Sequence, residues 1–430
     1  MLINKQAAKF QNLLGRYKTP VLYSGGSIVK AIAQLLAGFI IAKFIAPDDL
    51  GLWTTLNLAV TYSVFLQAGL INGLNLELPA AYGRGREEDA NQIAGTVQLL
   101  TIISSIAILL IGVLCFLFMP IIDPKIRFGL LGITLFIAIS FYQNYLMSTF
   151  RSKNSFSNLA IIQMADGFVN LITLVLVVYY TYYGLILKSI IVILIYVLLL
   201  HIYRPIRVKL VWSKEVAFKL IKVGLPIFGL SYIVELSTTV DRLVLLKYAD
   251  ITSVGLYSFG FYALSTFTIL SASIASYIYP QMTYRYAKDN DKIALWIYLK
   301  KITLFLFIGQ LLLAIVGYYI IPFLVKVYFP TYILSISTMQ ILLFAGVFKG
   351  SVIGANALWS MKHWKYMVIY QVNLSVLLVA LPYSAVYVFQ NKIEGVAYGI
   401  LLANAINLLF GLYLTYLATH EDAPAVDRLG

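Results

Sequence analysis

Apolar residues along this chain gather into long runs separated by short polar stretches, and a new run begins roughly every 25 to 40 residues. Each run is close to the roughly 20 residues that a helix needs to cross a hydrocarbon layer. The alternating segments of a membrane β-barrel, about ten residues each, are nowhere visible. The pattern predicts helices at 21–45, 50–71, 93–119, 128–150, 158–180, 182–203, 223–248, 254–279, 299–324, 333–357, 366–389 and 395–418. The fifth and sixth abut at Tyr179-Tyr180-Thr181-Tyr182-Tyr183-Gly184, which predicts a tight hairpin. The fold class is therefore an all-α polytopic membrane protein of about twelve transmembrane helices.

Composition agrees: of 430 residues 61% are hydrophobic and 12% charged, and the mean hydropathy is +0.86. The net charge of +14 would suit nucleic acid, but its distribution points to membrane topology instead. The N-terminus, with Lys5, Lys9, Arg16 and Lys18, the even-numbered loops and the C-terminus hold 22 of the 32 Lys and Arg, and the odd-numbered loops hold 6. By the positive-inside rule both termini are cytoplasmic. No nucleic-acid partner is expected, and the location expected is a bacterial inner membrane. No short apolar core with a small-residue cleavage site precedes the first long run, so no signal peptide is read.

The basic loop at 203–222 divides the helices six and six, giving expected domains 1–208 and 209–430. Lys43-Phe44 precedes Gly51-Leu52-Trp53-Thr54 as Lys247-Tyr248 precedes Gly255-Leu256-Tyr257-Ser258, at the same spacing. Two six-helix bundles with this internal repeat would be related by an axis along the membrane normal. Paired tyrosines such as Tyr383 and Tyr387 lie toward helix ends, where an aromatic belt is expected.

Catalytic motifs are wanting. The single cysteine, Cys115, lies in an apolar run, and His201, His363 and His420 are scattered, so neither a thiolate nor a zinc site is expected. Gly83-Arg84-Gly85-Arg86 lacks the third glycine and the strand context of a dinucleotide fingerprint. Asp289-Asn290-Asp291 sits in a loop too short to carry a nucleotide-sugar domain. The informative residues are charges at membrane depth, where an ionisable side chain costs several kcal/mol unless it faces protein or water. These are Lys30, Lys188, Arg242 and Lys349 with Asp166, Glu235 and Asp241. Glu235 and Arg242 are seven apart, which on an unbroken helix puts them on one stripe. Asp241 then points elsewhere, toward a neighbouring helix. Lys30 shares a face with Gln34 and Lys349 with Asn356, Asp166 is placed to pair with a basic neighbour, and Lys188 lies near a helix end, where it could snorkel.

The stretch from Ala42-Lys43-Phe44-Ile45-Ala46-Pro47 through Asp48-Asp49-Leu50-Gly51-Leu52-Trp53 is followed by Gly69, Asn72-Gly73 and Glu77-Leu78-Pro79. Gly224-Leu225-Pro226 opens the seventh helix, and Asp241-Arg242-Leu243 precedes Gly255-Leu256-Tyr257-Ser258. In this order and spacing the chain resembles the polysaccharide transporters of the MOP superfamily, specifically the Wzx-type flippases for lipid-linked O-antigen and related oligosaccharides. The resemblance implies a transporter, not an enzyme, with two six-helix bundles in a V shape that opens alternately to each side. It implies a polyprenyl-diphosphate-linked glycan unit as substrate, with membrane lipids around it and a glycan polymerase and other assembly proteins as partners. Lys30, Arg242, Lys349 and Lys188 are the expected cavity and diphosphate ligands. Glu235, Asp166 and Asp241, in that order, are expected to carry a coupling proton or sodium ion; no other cofactor is implied. A cation-coupled multidrug exporter of the related MATE type is the alternative, and it would call for a mainly acidic cavity.

Overall fold

The computed structural model describes residues 25–118, 123–289, 291–352, 357–358, 361 and 363–421. Lys5, Lys9, Arg16, Lys18, Asn290 and Asn356 lie outside the described residues. The described chain is helical throughout, in fourteen helices: α1 Gly25–Phe44, α2 Pro47–Ser63, α3 Leu70–Gly83, α4 Glu87–Phe118, α5 Pro124–Ser152, α6 Phe156–Ile172, α7 Leu174–Ile202, α8 Lys214–Ser237, α9 Val240–Tyr248, α10 Ile251–Asp289, α11 Lys292–Tyr328, α12 Ile336–Gly350, α13 Trp364–Val388 and α14 Lys392–His420. Ten spans are long and apolar enough to cross a membrane, and the bent pair α2–α3 makes an eleventh. The apolar helix α6, at 17 residues, falls just short. Within the described residues the twelve expected spans all fall on these helices, but 158–180 is divided between α6 and α7, and 223–248 between α8 and α9.

Local chemistry explains where the helices begin. Pro47 opens α2 with Asp48 and Asp49 in its first turn, and Asp123 before Pro124 accepts from the Lys125 and Ile126 amides to cap α5. Asp291, one of the two acidic residues flanking Asn290, caps α11 by accepting from the Ala294 amide at 2.9 Å. Asn391 caps α14 in the same way.

The chain divides into two compact units, Met1–Tyr232 and Ile233–Gly430. This division falls inside α8, 24 residues beyond the expected boundary at 208, because the first turns of α8 pack against α3. Gly69, Gly73 and Gly224 meet there: a Cβ on Gly73 would collide with the Leu220 carbonyl, and one on Gly69 would lie 2.7 Å from the Gly224 backbone. Gly69 also has φ +76°, following Ala68 at φ 46°, and the two residues turn the second span by 55° between a short 3-10 segment, Val64–Gln67, and α3. In the first unit, Leu74, Leu78, Tyr145, Phe150, Tyr196 and Leu200 form one buried cluster.

The expected hairpin is present. Thr181, at φ 47° and ψ −119°, breaks the α7 run, and Gly184 is brought against the Leu176 carbonyl so closely that a Cβ would clash. In the second unit α12 packs along α10 and α14, and α13 packs along α14, around Tyr257, Leu264, Leu342, Leu378 and Ile400. The outward faces of α4 and α11 are apolar and bare, with Phe118 79% and Phe305 76% exposed. Continuous surfaces of this kind belong in lipid, not in water.

Candidate functional site

Each unit holds its own cluster of charges. In the first, Gln163, Asp166 and Asn170 follow one another at helical spacing on the buried face of α6. Small residues let α1 approach this face: a Cβ on Gly26 would lie 2.7 Å from the Ala160 carbonyl, and one on Gly167 would meet Ala33 at 3.2 Å. The approach brings Ser27 to Gln163 Oε1 at 2.9 Å and Lys30 to Asp166 at 2.9 Å. The Lys30 ammonium also lies 4.0 Å from the centre of the Tyr196 ring on α7. Lys188, on α7, donates to Asn170 Oδ1 at 2.7 Å. Asp166 therefore has the basic neighbour expected of it. Gln34, expected on the Lys30 face, is exposed, and no hydrogen bond links the two. Lys188 does not snorkel: it is 5% exposed, because Asn170 on the adjacent helix gives its ammonium a buried acceptor.

In the second unit the seventh span is interrupted. The α-helix ends at Ser237 and restarts at Val240, and Thr238 and Thr239 turn their hydroxyls back onto the Glu235 and Leu236 carbonyls. The restart places Asp241 in the first turn of α9, 1% exposed. Its Oδ1 accepts from the Arg242 amide at 2.8 Å and the Arg242 guanidinium at 3.3 Å, and its Oδ2 accepts from the Tyr257 hydroxyl on α10 at 2.7 Å. Asp241 does reach a neighbouring helix, as the sequence suggested. Arg242 lies over the Phe261 ring at 4.4 Å and donates to the Thr238 carbonyl freed by the break. Lys349, on α12, reaches the same ring at 6.0 Å. Its ammonium has no hydrogen-bond acceptor and no ion-pair partner among the described residues.

The break removes the stripe expected to join Glu235 to Arg242. With the helix interrupted between them, the guanidinium turns to the adjacent Asp241, and the exposed Glu235 is in no ion pair among the described residues. The structure thus brings Lys30, Asp166 and Lys188 together in one unit, and Asp241, Arg242 and Lys349 in the other. Sequence reasoning passed over the neutral partners Gln163, Asn170, Tyr196 and Phe261. Tyr257 alone carried a signal, as the aromatic residue of the repeated Gly-Leu-aromatic element.

Comparison with known proteins places this geometry. Residues 40–330 match the model of a family described as polysaccharide biosynthesis protein. No curated protein sequence matches the chain. Among solved structures, an inward-facing multidrug resistance MATE family transporter of the MOP superfamily is 14% identical, covering 91% of this chain and 94% of its own with a TM-score of 0.66. A MATE protein in a bent conformation is 16% identical over 94% and 95%, with a TM-score of 0.62. The Vibrio cholerae MATE transporter VcmN, in its bent form, is 17% identical over 94% and 96%, with a TM-score of 0.57. At these identities the likeness is one of fold.

Proposed function

The chain belongs to the polysaccharide biosynthesis protein family and carries the fold of MOP-superfamily transporters, and from that premise we propose that it is a flippase. It carries polyprenyl-diphosphate-linked oligosaccharide units from the cytoplasmic to the outer leaflet of a bacterial inner membrane by alternating access, for O-antigen, capsule or exopolysaccharide assembly. Both termini then lie on the cytoplasmic side.

The observation that supports this best is the excess of positive charge around Phe261. Arg242 and Lys349 face one ring, and the carboxylate in contact with Arg242, Asp241, is held by Tyr257 and by the Arg242 backbone and guanidinium, which leaves the Lys349 charge uncompensated by any ion pair among the described residues. Attraction between charges grows as water is excluded, so two cations at membrane depth suit the diphosphate, the one charged group common to such substrates. The planar guanidinium can grip two phosphate oxygens at once, and the Lys349 ammonium supplies a movable point charge. An exporter of cationic drugs would instead call for a mainly acidic cavity.

Free energy for outward movement comes from an ion gradient, the membrane potential or consumption of the product, since the chain has no P-loop. Glu235, the carboxylate left without an ion pair, is the first candidate for carrying a proton or sodium ion. The test is reconstitution in liposomes with a fluorescent lipid-linked oligosaccharide. Wild-type protein should move it to the far leaflet, whereas Arg242→Ala and Lys349→Ala should do so far more slowly. Transport at the wild-type rate in the double variant would refute the assignment.

A further inference from the structure

Inside the second unit, next to the Phe261 ring, is a cavity of about 280 Å³. Its polar lining comes from Thr238, Asp241, Lys349, Tyr370, Asn404 and Asn407; the remaining wall is aliphatic apart from Phe261. Both oxygens of Asp241 already accept hydrogen bonds, as described. The other groups leave an unusual remainder. Asn407 is 3% exposed and donates its amide to the Tyr370 hydroxyl at 2.7 Å, but its own Oδ1 is buried with no partner. Asn404, also 3% exposed, donates to the Ile400 carbonyl at 2.8 Å, and its carbonyl oxygen has no protein donor among the described residues. Facing the same space is the half-buried Lys349 ammonium, with three donors and no acceptor among the described residues.

Buried polar groups without partners are costly and call for something to meet them. A bare anion would answer Lys349 and leave both amide oxygens unmet. A bare cation would do the reverse and be repelled by the ammonium. A group with adjacent hydroxyls accepts from the ammonium and donates to the amides, and its C–H faces suit the Tyr370, Phe261 and leucine walls. The volume lies at the lower end of small-molecule sites, enough for one ring but not a chain of them.

We propose that this cavity is a monosaccharide-binding chamber. Lys349 lines it and also lies over the ring shared with Arg242, so the sugar bound is the one attached directly to the diphosphate. Asn404, Asn407 and Tyr370 then set which first sugar the protein accepts. This rests on the flippase reading, and the experiment separates the two.

Purified protein in nanodiscs is titrated with a short-chain isoprenyl diphosphate, and with the same compound bearing one hexose on its terminal phosphate. Binding is read by the shift in melting temperature and by calorimetry. Wild-type protein should prefer the glycosylated compound by at least about tenfold. Asn407→Leu should abolish that preference while keeping affinity for the bare diphosphate. Leu374→Phe, which fills the chamber without touching a polar group, should do the same and guards against a folding defect in the first variant. Equal preference in wild type and both variants would overturn the chamber, as would a wild-type protein that does not distinguish the two compounds, the behaviour of a cavity that holds only water. If wild-type protein binds neither compound, the flippase reading fails first and the chamber falls with it.

Discussion

The two units handle buried charge in opposite ways. In the first, every deep charge is answered by a side chain on another helix: Lys30 by Asp166 and Tyr196, Lys188 by Asn170. In the second, Asp241 is answered, but among the described residues the Lys349 ammonium and the exposed Glu235 carboxylate are in no ion pair. A closed network holds helices together, because removing one member strands another, whereas an open one is free to meet something brought from outside. Among the described residues, charge is thus paired within the first unit and left partly open within the second.

Asp166→Ala should break this contrast hardest. It strands Lys30 and takes the nearby negative charge from Lys188, whose hydrogen bond to Asn170 remains, and loss of one partner from a buried pair costs about 3–5 kcal/mol. The folded yield should collapse, and the double variant Lys30→Met, Asp166→Asn should recover most of it in thermal unfolding. Lys30→Ala should likewise lower stability as well as transport.

Lys349→Ala should do the converse, with transport falling by roughly a hundredfold, about 2.7 kcal/mol of binding, and little change in melting temperature. A large loss of stability in that variant would mean that the second cluster is closed too. Arg242→Lys should also impair transport, since an ammonium cannot reproduce the two-pronged contact. Gly73→Ala tests the α3–α8 crossing by forcing a methyl against the Leu220 carbonyl, at about 1–3 kcal/mol. Tyr257→Phe, which removes one hydrogen bond from Asp241, should cost about 0.6–1.7 kcal/mol. The smallest stability effect belongs to Glu235→Gln: an exposed side chain outside any ion pair should leave the melting curve unchanged. If the coupling assignment holds, the same variant loses the dependence of transport on a pH or sodium gradient; full retention of that dependence would sink it.

The spans were legible because hydropathy acts over about 20 residues and tolerates local irregularity. The hairpin at Thr181 was legible because two apolar runs leave almost nothing between them. The breaks were not. Ser237-Thr238-Thr239 reads as ordinary helix, and its interruption depends on hydroxyls bonding back to carbonyls, which leaves no mark in residue type. With that break missed, helical spacing joined Glu235 to Arg242 when the partner was the adjacent Asp241. Lys188 was misjudged for a related reason, since its acceptor, Asn170, lies across a turn and carries no charge to draw attention. The excess of cations in the candidate site could be read from the sequence, but which cation stays unanswered depended on side-chain packing.

The turn at Thr181 also bears on how the protein is made. With the reversal confined to a residue or so, and Gly184 pressed against the Leu176 carbonyl, almost no loop separates the two arms. Contacts between segments this near in sequence need almost no loop closure, so the fifth and sixth spans are expected to pair with each other before either meets the rest of the bundle.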